Sequence, residues 1–106
     1  MSGKTAKILA ELRRGLARLY GKRLARVILY GSCARGEEAH GSDLDVLVVL
    51  RGEVSPCEEI ARSLDDVAAV SLRFDETVSC VFVSEEQYGR ERSPLLINIR
   101  REGISA

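Results

Sequence analysis

The pattern of apolar and polar positions along the chain predicts alternating helices and strands. In residues 5–20, apolar side chains recur at helical spacing between arginines and lysines, which predicts an amphipathic helix that ends at Gly21. Short apolar runs at residues 26–30, 44–50 and 77–83 predict three strands. The first strand ends at a glycine, and the second is rich in β-branched residues.

Further helices are predicted by residues that favour helix starts. Ser55-Pro56-Cys57-Glu58 combines a capping serine, a proline at the first helical position and a glutamate in the capping-box place. Ser84-Glu85-Glu86-Gln87 opens a second, shorter helix. Apolar residues after Ser93-Pro94 predict a last helical segment that ends at Gly103. We therefore expect an α/β protein, with residues 1–106 forming a single domain.

Composition narrows the functional classes. The formal net charge is zero, which argues against direct nucleic-acid binding, although the basic residues cluster near both ends of the chain. The three cysteines are odd in number and widely spaced, and one histidine accompanies them, so a zinc site or a disulfide framework is not expected. Reduced cysteines and the lack of a membrane-length apolar run indicate a cytoplasmic protein without membrane contact.

The candidate chemistry lies in residues 31–50. Asp43 and Asp45 stand two residues apart at the start of the second strand, so their side chains project to the same side. Such a pair repels unless a cation lies between the carboxylates, and oxygen ligands of this kind suit Mg²⁺. Gly31 and Ser32 directly follow the first strand, where backbone N–H groups and a hydroxyl can face a phosphate. Arg35 is close enough in sequence to add a charge-assisted contact.

An isolated Asp-x-Asp is usually only solvated surface, but here the surrounding residues form a longer pattern. Gly31-Ser32, ten intervening residues and Asp43-x-Asp45 resemble the signature of the DNA polymerase β-like nucleotidyltransferase superfamily. More narrowly, "GSCARGEEAHGSDLDVLVVL" is similar to the minimal nucleotidyltransferases of the MntA-like antitoxin type.

That resemblance implies a small mixed β-sheet flanked by helices, and a site that binds a nucleoside triphosphate with Mg²⁺. It implies transfer of a nucleoside monophosphate, with ATP and a protein hydroxyl as the expected donor and acceptor. Gly31 and Ser32 would hold the triphosphate, while Asp43 and Asp45 would bind the metal and act in catalysis. Family members commonly work beside a HEPN-domain protein as the antitoxin of a toxin–antitoxin pair.

The third predicted strand departs from the family pattern. Catalytic members usually carry a third carboxylate on this strand, but "ETVSCVFVS" has no acid inside it. The register most similar to the family's places Ser79 at that position, and a serine hydroxyl neither binds metal strongly nor acts as a base near neutral pH. Asp75 and Glu76, just before the strand, are the alternative source of a third acid.

Three functional hypotheses follow. The first is an active nucleotidyltransferase, and the second is a degenerate relative that docks on its helical partner without chemistry. The third is the nucleotide-binding subunit of a two-chain transferase. A homo-oligomer is also open, because the apolar segment at Leu95, Leu96 and Ile97 can cover either its own sheet or a neighbouring chain.

Overall fold

A computed structural model describes residues 2–31, 34 and 43–106, which contain four α-helices and four strands. A short 3₁₀ turn, Gly21–Arg23, joins the first helix to the first strand. The elements in order are α1 (Gly3–Tyr20), β1 (Leu24–Tyr30), β2 (Leu44–Leu50), α2 (Pro56–Phe74), β3 (Val78–Ser84), α3 (Glu85–Arg90), α4 (Pro94–Glu102) and β4 (Ile104–Ser105). The predicted α/β class is therefore confirmed, and the three predicted strands are shifted by one or two residues at most.

The strands form one mixed sheet in the order β3-β2-β1-β4. Strand β1 runs antiparallel to β2 on one side and to β4 on the other, whereas β2 and β3 are parallel. The sequence pattern did not predict β4, because two residues are too short to show a period. It forms where the chain turns back after Gly103 and pairs with Ile28 and Leu29.

Helices cover both faces of the sheet. Alternate residues of β2 point to opposite faces, so Val46 and Val48 pack with α1 and α2 while Leu47 and Val49 pack with α4. All four side chains are buried, which explains why this strand reads as a continuous apolar run. The face that carries α1 and α2 is called here the α1/α2 face, and the other the α4 face.

The starts of α2, α3 and α4 were predicted correctly, whereas α1 begins at Gly3, two residues before its predicted start, and one predicted cap was wrong. The Ser84 hydroxyl accepts from the Gln87 backbone N–H at 3.0 Å, and with the Gln87 side chain it forms a capping box at the start of α3. Ser55 precedes Pro56 as predicted, yet its side chain makes no capping hydrogen bond. Its ψ of 101° differs from the 158° of Ser84, which turns the hydroxyl away from the helix, while the Ser55 carbonyl still accepts the ordinary first-turn bond from Glu59 N–H.

The apolar segment in helix α4 covers the chain's own sheet only in part. Leu96 and Ile99 are buried against the chain's own sheet, while Leu95 and Ile97 remain exposed. In the described ranges, no helix is both long enough and apolar enough to cross a bilayer. That residues 1–106 form a single domain stays a prediction.

Candidate functional site

The predicted site residues that the structure describes meet at one end of the sheet. Gly31 follows the last residue of β1, and Asp43 precedes the first residue of β2. Because β1 and β2 are antiparallel, these two ends lie together, and the parallel strand β3 begins there as well. The register pairs Asp45 with Tyr30 of β1 and with Ser79 of β3. Tyr30, Asp45 and Ser79 are called here the site row.

The site row lies on the α4 face of the sheet. Asp45 shares the side of Leu47 and Val49, which α4 covers through Leu96 and Ile99. The three residues of the row are only half-buried, whereas Leu47 and Val49 are fully buried. Helix α4 therefore covers the site row less completely than the middle of the sheet, and the side chains of the row remain accessible to a ligand.

Gly31 brings its backbone against the Asp45 carboxylate. Its φ is +78°, a conformation that side-chain-bearing residues rarely adopt, and a Cβ placed there would lie 2.8 Å from Asp45 Oδ2. The Ala34 N–H donates to the Gly31 carbonyl at 3.2 Å, so a tight turn begins directly after the strand. Only glycine allows both this turn and this close approach.

Charge repulsion and burial both act on Asp45. Its pKa is raised above the ordinary value by burial first and by the nearby Asp43 carboxylate second. The two carboxylates thus lie close enough to interact, as their spacing predicts. Burial also raises the pKa of the Tyr30 hydroxyl, with smaller contributions from Asp45 and from Cys80. A cation at Asp43 and Asp45 would relieve this repulsion.

The donors fit Mg²⁺ better than a cage-forming metal. No group of three or more histidine, cysteine, aspartate or glutamate side chains converges within the described ranges. Mg²⁺ binds proteins through one or two carboxylates and takes its remaining ligands from water and phosphate. Asp43 and Asp45 supply that pair, and the Gly31 backbone lies directly beside the Asp45 carboxylate.

Ser79 occupies the position on β3 directly beside Asp45. Its hydroxyl carries no charge to share with a cation. The alternative acids are held elsewhere: Lys4 Nζ lies 2.9 Å from Glu76 Oε1, on the opposite α1/α2 face, and Asp75 forms the left-handed C-cap of α2 with φ 52°. Neither acid joins the site row.

Two predicted ligands of the triphosphate, Ser32 and Arg35, lie outside the described residues and stay predictions. The sequence interpretation missed Tyr30, which faces Asp45 across the β1–β2 pair. Its place as the last strand residue before Gly31 was visible in the sequence. Its alignment with Asp45 was not, because that depends on the register of the two strands.

A separate cleft of about 880 Å³ lies at the other end of the sheet, where β2 and β3 end. Glu59 lines it and is almost fully buried, yet Glu59 Oε1 accepts from the Tyr20 hydroxyl at 2.9 Å and lies 3.5 Å from Arg62 Nε. These partners account for the burial of this carboxylate, and burial in turn raises the pKa of Tyr20. The cleft shares no residue with the site row.

Comparison with known proteins identifies relatives over most of the chain. The sequence profile of the nucleotidyltransferase domain matches residues 9–94. A candidate protein adenylyltransferase of Methanocaldococcus jannaschii is 30% identical over 95 residues, which cover 80% of this chain and 95% of that protein.

Solved structures show the same fold. A candidate minimal nucleotidyltransferase superposes with a TM-score of 0.60 and 27% identity, covering 98% of this chain and 95% of its own. A toxin–antitoxin structure with AMP-PNP gives a TM-score of 0.61 at 17% identity, over 96% of this chain and 68% of the other. The second match supports the fold alone. The predicted resemblance and the predicted mixed sheet flanked by helices are confirmed.

Gly31→Ala should destabilise the protein by about 1–3 kcal/mol, because alanine is strained at positive φ and its methyl group meets the Asp45 carboxylate. Urea unfolding measures the effect. Gly89→Ala is the matched control, since nothing lies within 4 Å of a Cβ at this glycine in α3. That control should be neutral or stabilise by about 0.5–1 kcal/mol. Equal effects of the two substitutions would contradict the assigned role of Gly31.

Asp45→Asn should stabilise the metal-free protein at neutral pH. The folded-state pKa of Asp45 is raised above the ordinary 3.8, so ionisation costs stability as the pH rises from that value through the folded pKa. Asparagine cannot ionise, so its advantage over the wild type should grow as the pH rises above about 4 and level off above the folded-state pKa. Thermal unfolding in EDTA across this range tests it. Asp43→Asn should give a smaller gain, and a flat difference for Asp45→Asn would oppose the interpretation.

Proposed function

The chain belongs to the nucleotidyltransferase domain family, and we propose that it binds a nucleoside triphosphate with Mg²⁺ and transfers an adenylyl group from ATP to a protein hydroxyl. The observation that carries this proposal is the meeting of the Gly31 turn with the Asp43–Asp45 pair at an accessible end of the sheet. An anion-binding turn beside two cation-binding carboxylates matches the charge pattern of a metal triphosphate.

Each residue has a distinct part in the proposed reaction. Asp43 and Asp45 would hold the Mg²⁺, whose charge would offset that of the triphosphate. In the transfer, the hydroxyl oxygen of the acceptor would bond to the α-phosphorus, the bond from that phosphorus to the bridging oxygen would break, pyrophosphate would leave, and the hydroxyl proton would pass to solvent. Gly31 would let the backbone approach the phosphates, and Ser32 and Arg35 would add a hydroxyl and a guanidinium. These groups position the α-phosphoryl group, which is most of what such a transfer requires of a protein.

The choice of ATP and of a protein acceptor rests on relatives. The related archaeal protein carries the name of a protein adenylyltransferase, and the structural neighbour was determined with AMP-PNP. That neighbour is a toxin–antitoxin structure, which supports a toxin as the partner of this chain. A cytoplasmic HEPN-domain protein is the partner that the family resemblance implies.

A second candidate function is a partner-binding module without chemistry, and Ser79 favours it. Among the residues that the structure describes, a hydroxyl beside Asp45 leaves the site with one carboxylate pair and without a third acid on β3 to accept the acceptor's proton. We propose that Ser79 stands where active relatives carry their third carboxylate. The wild type would then bind nucleotide and transfer it slowly, if at all.

Binding of ATP should require Mg²⁺ and both aspartates. The double variant Asp43→Asn, Asp45→Asn removes both charges that would share the cation with the triphosphate, so affinity should fall at least about tenfold. Isothermal calorimetry with and without Mg²⁺ measures it. Asp65→Asn, an exposed position on α2, is the control and should bind as the wild type does. Unchanged affinity in the double variant would remove the site assignment.

Ser79→Asp should raise adenylyl transfer, by roughly a hundredfold if the new carboxylate acts as a base. A gel assay with radiolabelled ATP, Mg²⁺ and the product of a neighbouring gene as acceptor measures the rate. Ser79→Asn fills similar space without charge and should leave the rate low. Fast wild-type transfer that persists in the Asp75→Asn, Glu76→Gln variant would show that no third acid is needed, and would end the degenerate-module hypothesis.

A further inference from the structure

Helix α2 exposes an apolar face to solvent. Ile60, Leu64 and Leu72 are 49%, 58% and 83% exposed, and their spacing of four and eight residues places them on one side of the helix. Small uncharged residues on the same side are also exposed and complete the face: Cys57, Ala61 and Ala68. Large side chains are rarely left uncovered together in this way unless they meet a partner.

The exposed side of helix α2 formed by these six residues, called here the α2 face, points away from the other elements. The charged side of the helix packs on α1, where Asp66 lies against Gly15 and Arg73 Nη1 lies 2.9 Å from Glu11 Oε1. At 100° per residue, Leu64 is about 160° around the helix from Asp66. Since α2 lies between α1 and the β3 side of the sheet, the apolar face looks outward past the β3 edge.

Strand β3 is an unprotected sheet edge. In the described ranges it pairs only with β2, and that register continues without interruption over all seven residue pairs. The strand VSCVFVS contains no charged residue and no proline, and its central Val81 is 37% exposed. Proteins usually protect an edge with charges, proline, bulges or a short strand, and here β4 protects the other edge by being only two residues long.

We propose that a second copy of this chain docks on β3 and α2. The two β3 strands would pair antiparallel about a two-fold axis normal to the sheet, which extends it from four strands to eight. Such an axis keeps α2 and its copy on the same side of the joined sheet. Their apolar faces would then pack together above the new strand pair.

A second copy fits this surface because the surface is self-complementary. In a two-fold interface only a residue close to the axis lies near its own copy, so a charged residue there would meet a like charge. Both β3 and the α2 face lack charge. With the axis at Val81, Ser79 would lie opposite Val83 of the second copy, and Cys80 opposite Phe82. Every one of these side chains is uncharged, so no like charges would face one another.

The surface is also long enough for an interface. Seven strand residues span about 23 Å, and the α2 face from Ile60 to Leu72 spans about 18 Å. A strand edge with a helix above it, over such lengths, approaches the ~800 Å² per partner that specific dimers bury. The backbone N–H and C=O groups along the free side of β3 would gain partners in the copy.

Sedimentation equilibrium of the full chain, from about 1 to 200 µM, tests the dimer. We expect the wild type to approach twice its 11.7 kDa mass as concentration rises. Leu64→Glu and Val81→Lys each place two like charges in the proposed interface, so either should weaken dimerisation by roughly a hundredfold. Leu95→Glu is the matched control, because this exposed leucine lies on α4, across the sheet from α2.

Circular dichroism confirms that each variant is folded before its mass is interpreted. Hydrogen exchange of the wild type gives a test without substitution: free-side amides of β3 should be protected at 200 µM and exchange faster at 1 µM. A wild type that stays monomeric at 200 µM would overturn the proposal. So would a dimer that both interface variants leave intact, or that Leu95→Glu weakens equally.

Discussion

The burial of β2 on both faces is the constraint on which the rest of the structure depends. Six of its seven residues are buried, because α1 and α2 cover one face and α4 covers the other. A strand in this position can carry charge only where the helices stop covering it. Asp45, one residue inside the strand, and Asp43, one residue before it, occupy that place. The site lies at the end of β2 because the middle of this strand cannot hold a carboxylate without a partner.

The energetics of this end favour a bound cation. Asp45 is held beside Asp43 and against the Gly31 backbone, so without a cation its carboxylate is repelled by Asp43 and is partly desolvated. The packing of the core offsets the stability that these two effects cost. Binding of a divalent cation would convert the same proximity into attraction. The stability lost at this end would then be the counterpart of the proposed affinity for a metal triphosphate, as expected where function and stability compete.

The sequence was sufficient for much of this structure, for identifiable reasons. Helices α1 and α2 show a clear apolar period, and Gly31 and Asp43-x-Asp45 stand at strand ends that local patterns mark. The wrong or missing predictions concern features that depend on backbone geometry, which the spacing of residues along the sequence does not determine. The Ser55 cap failed because its ψ turns the hydroxyl away, and β4 was missed because two residues have no period. To predict that Tyr30, Asp45 and Ser79 lie side by side, one must know the register of three strands, and a single sequence does not determine it.

Strand β3 connects the two proposals. Its α4-face residues begin with Ser79 in the site row, while its free edge is the surface proposed for a second copy. A paired edge holds a strand in one register and limits its twisting and fraying, so a copy on β3 would fix the position of Ser79 relative to Asp45. In a chain of 106 residues, with a core of modest size, such support from a neighbour has a larger effect than in a larger protein. Dimerisation and the geometry of the site would then be coupled through the backbone of a single strand, with no contact between the second copy and the nucleotide.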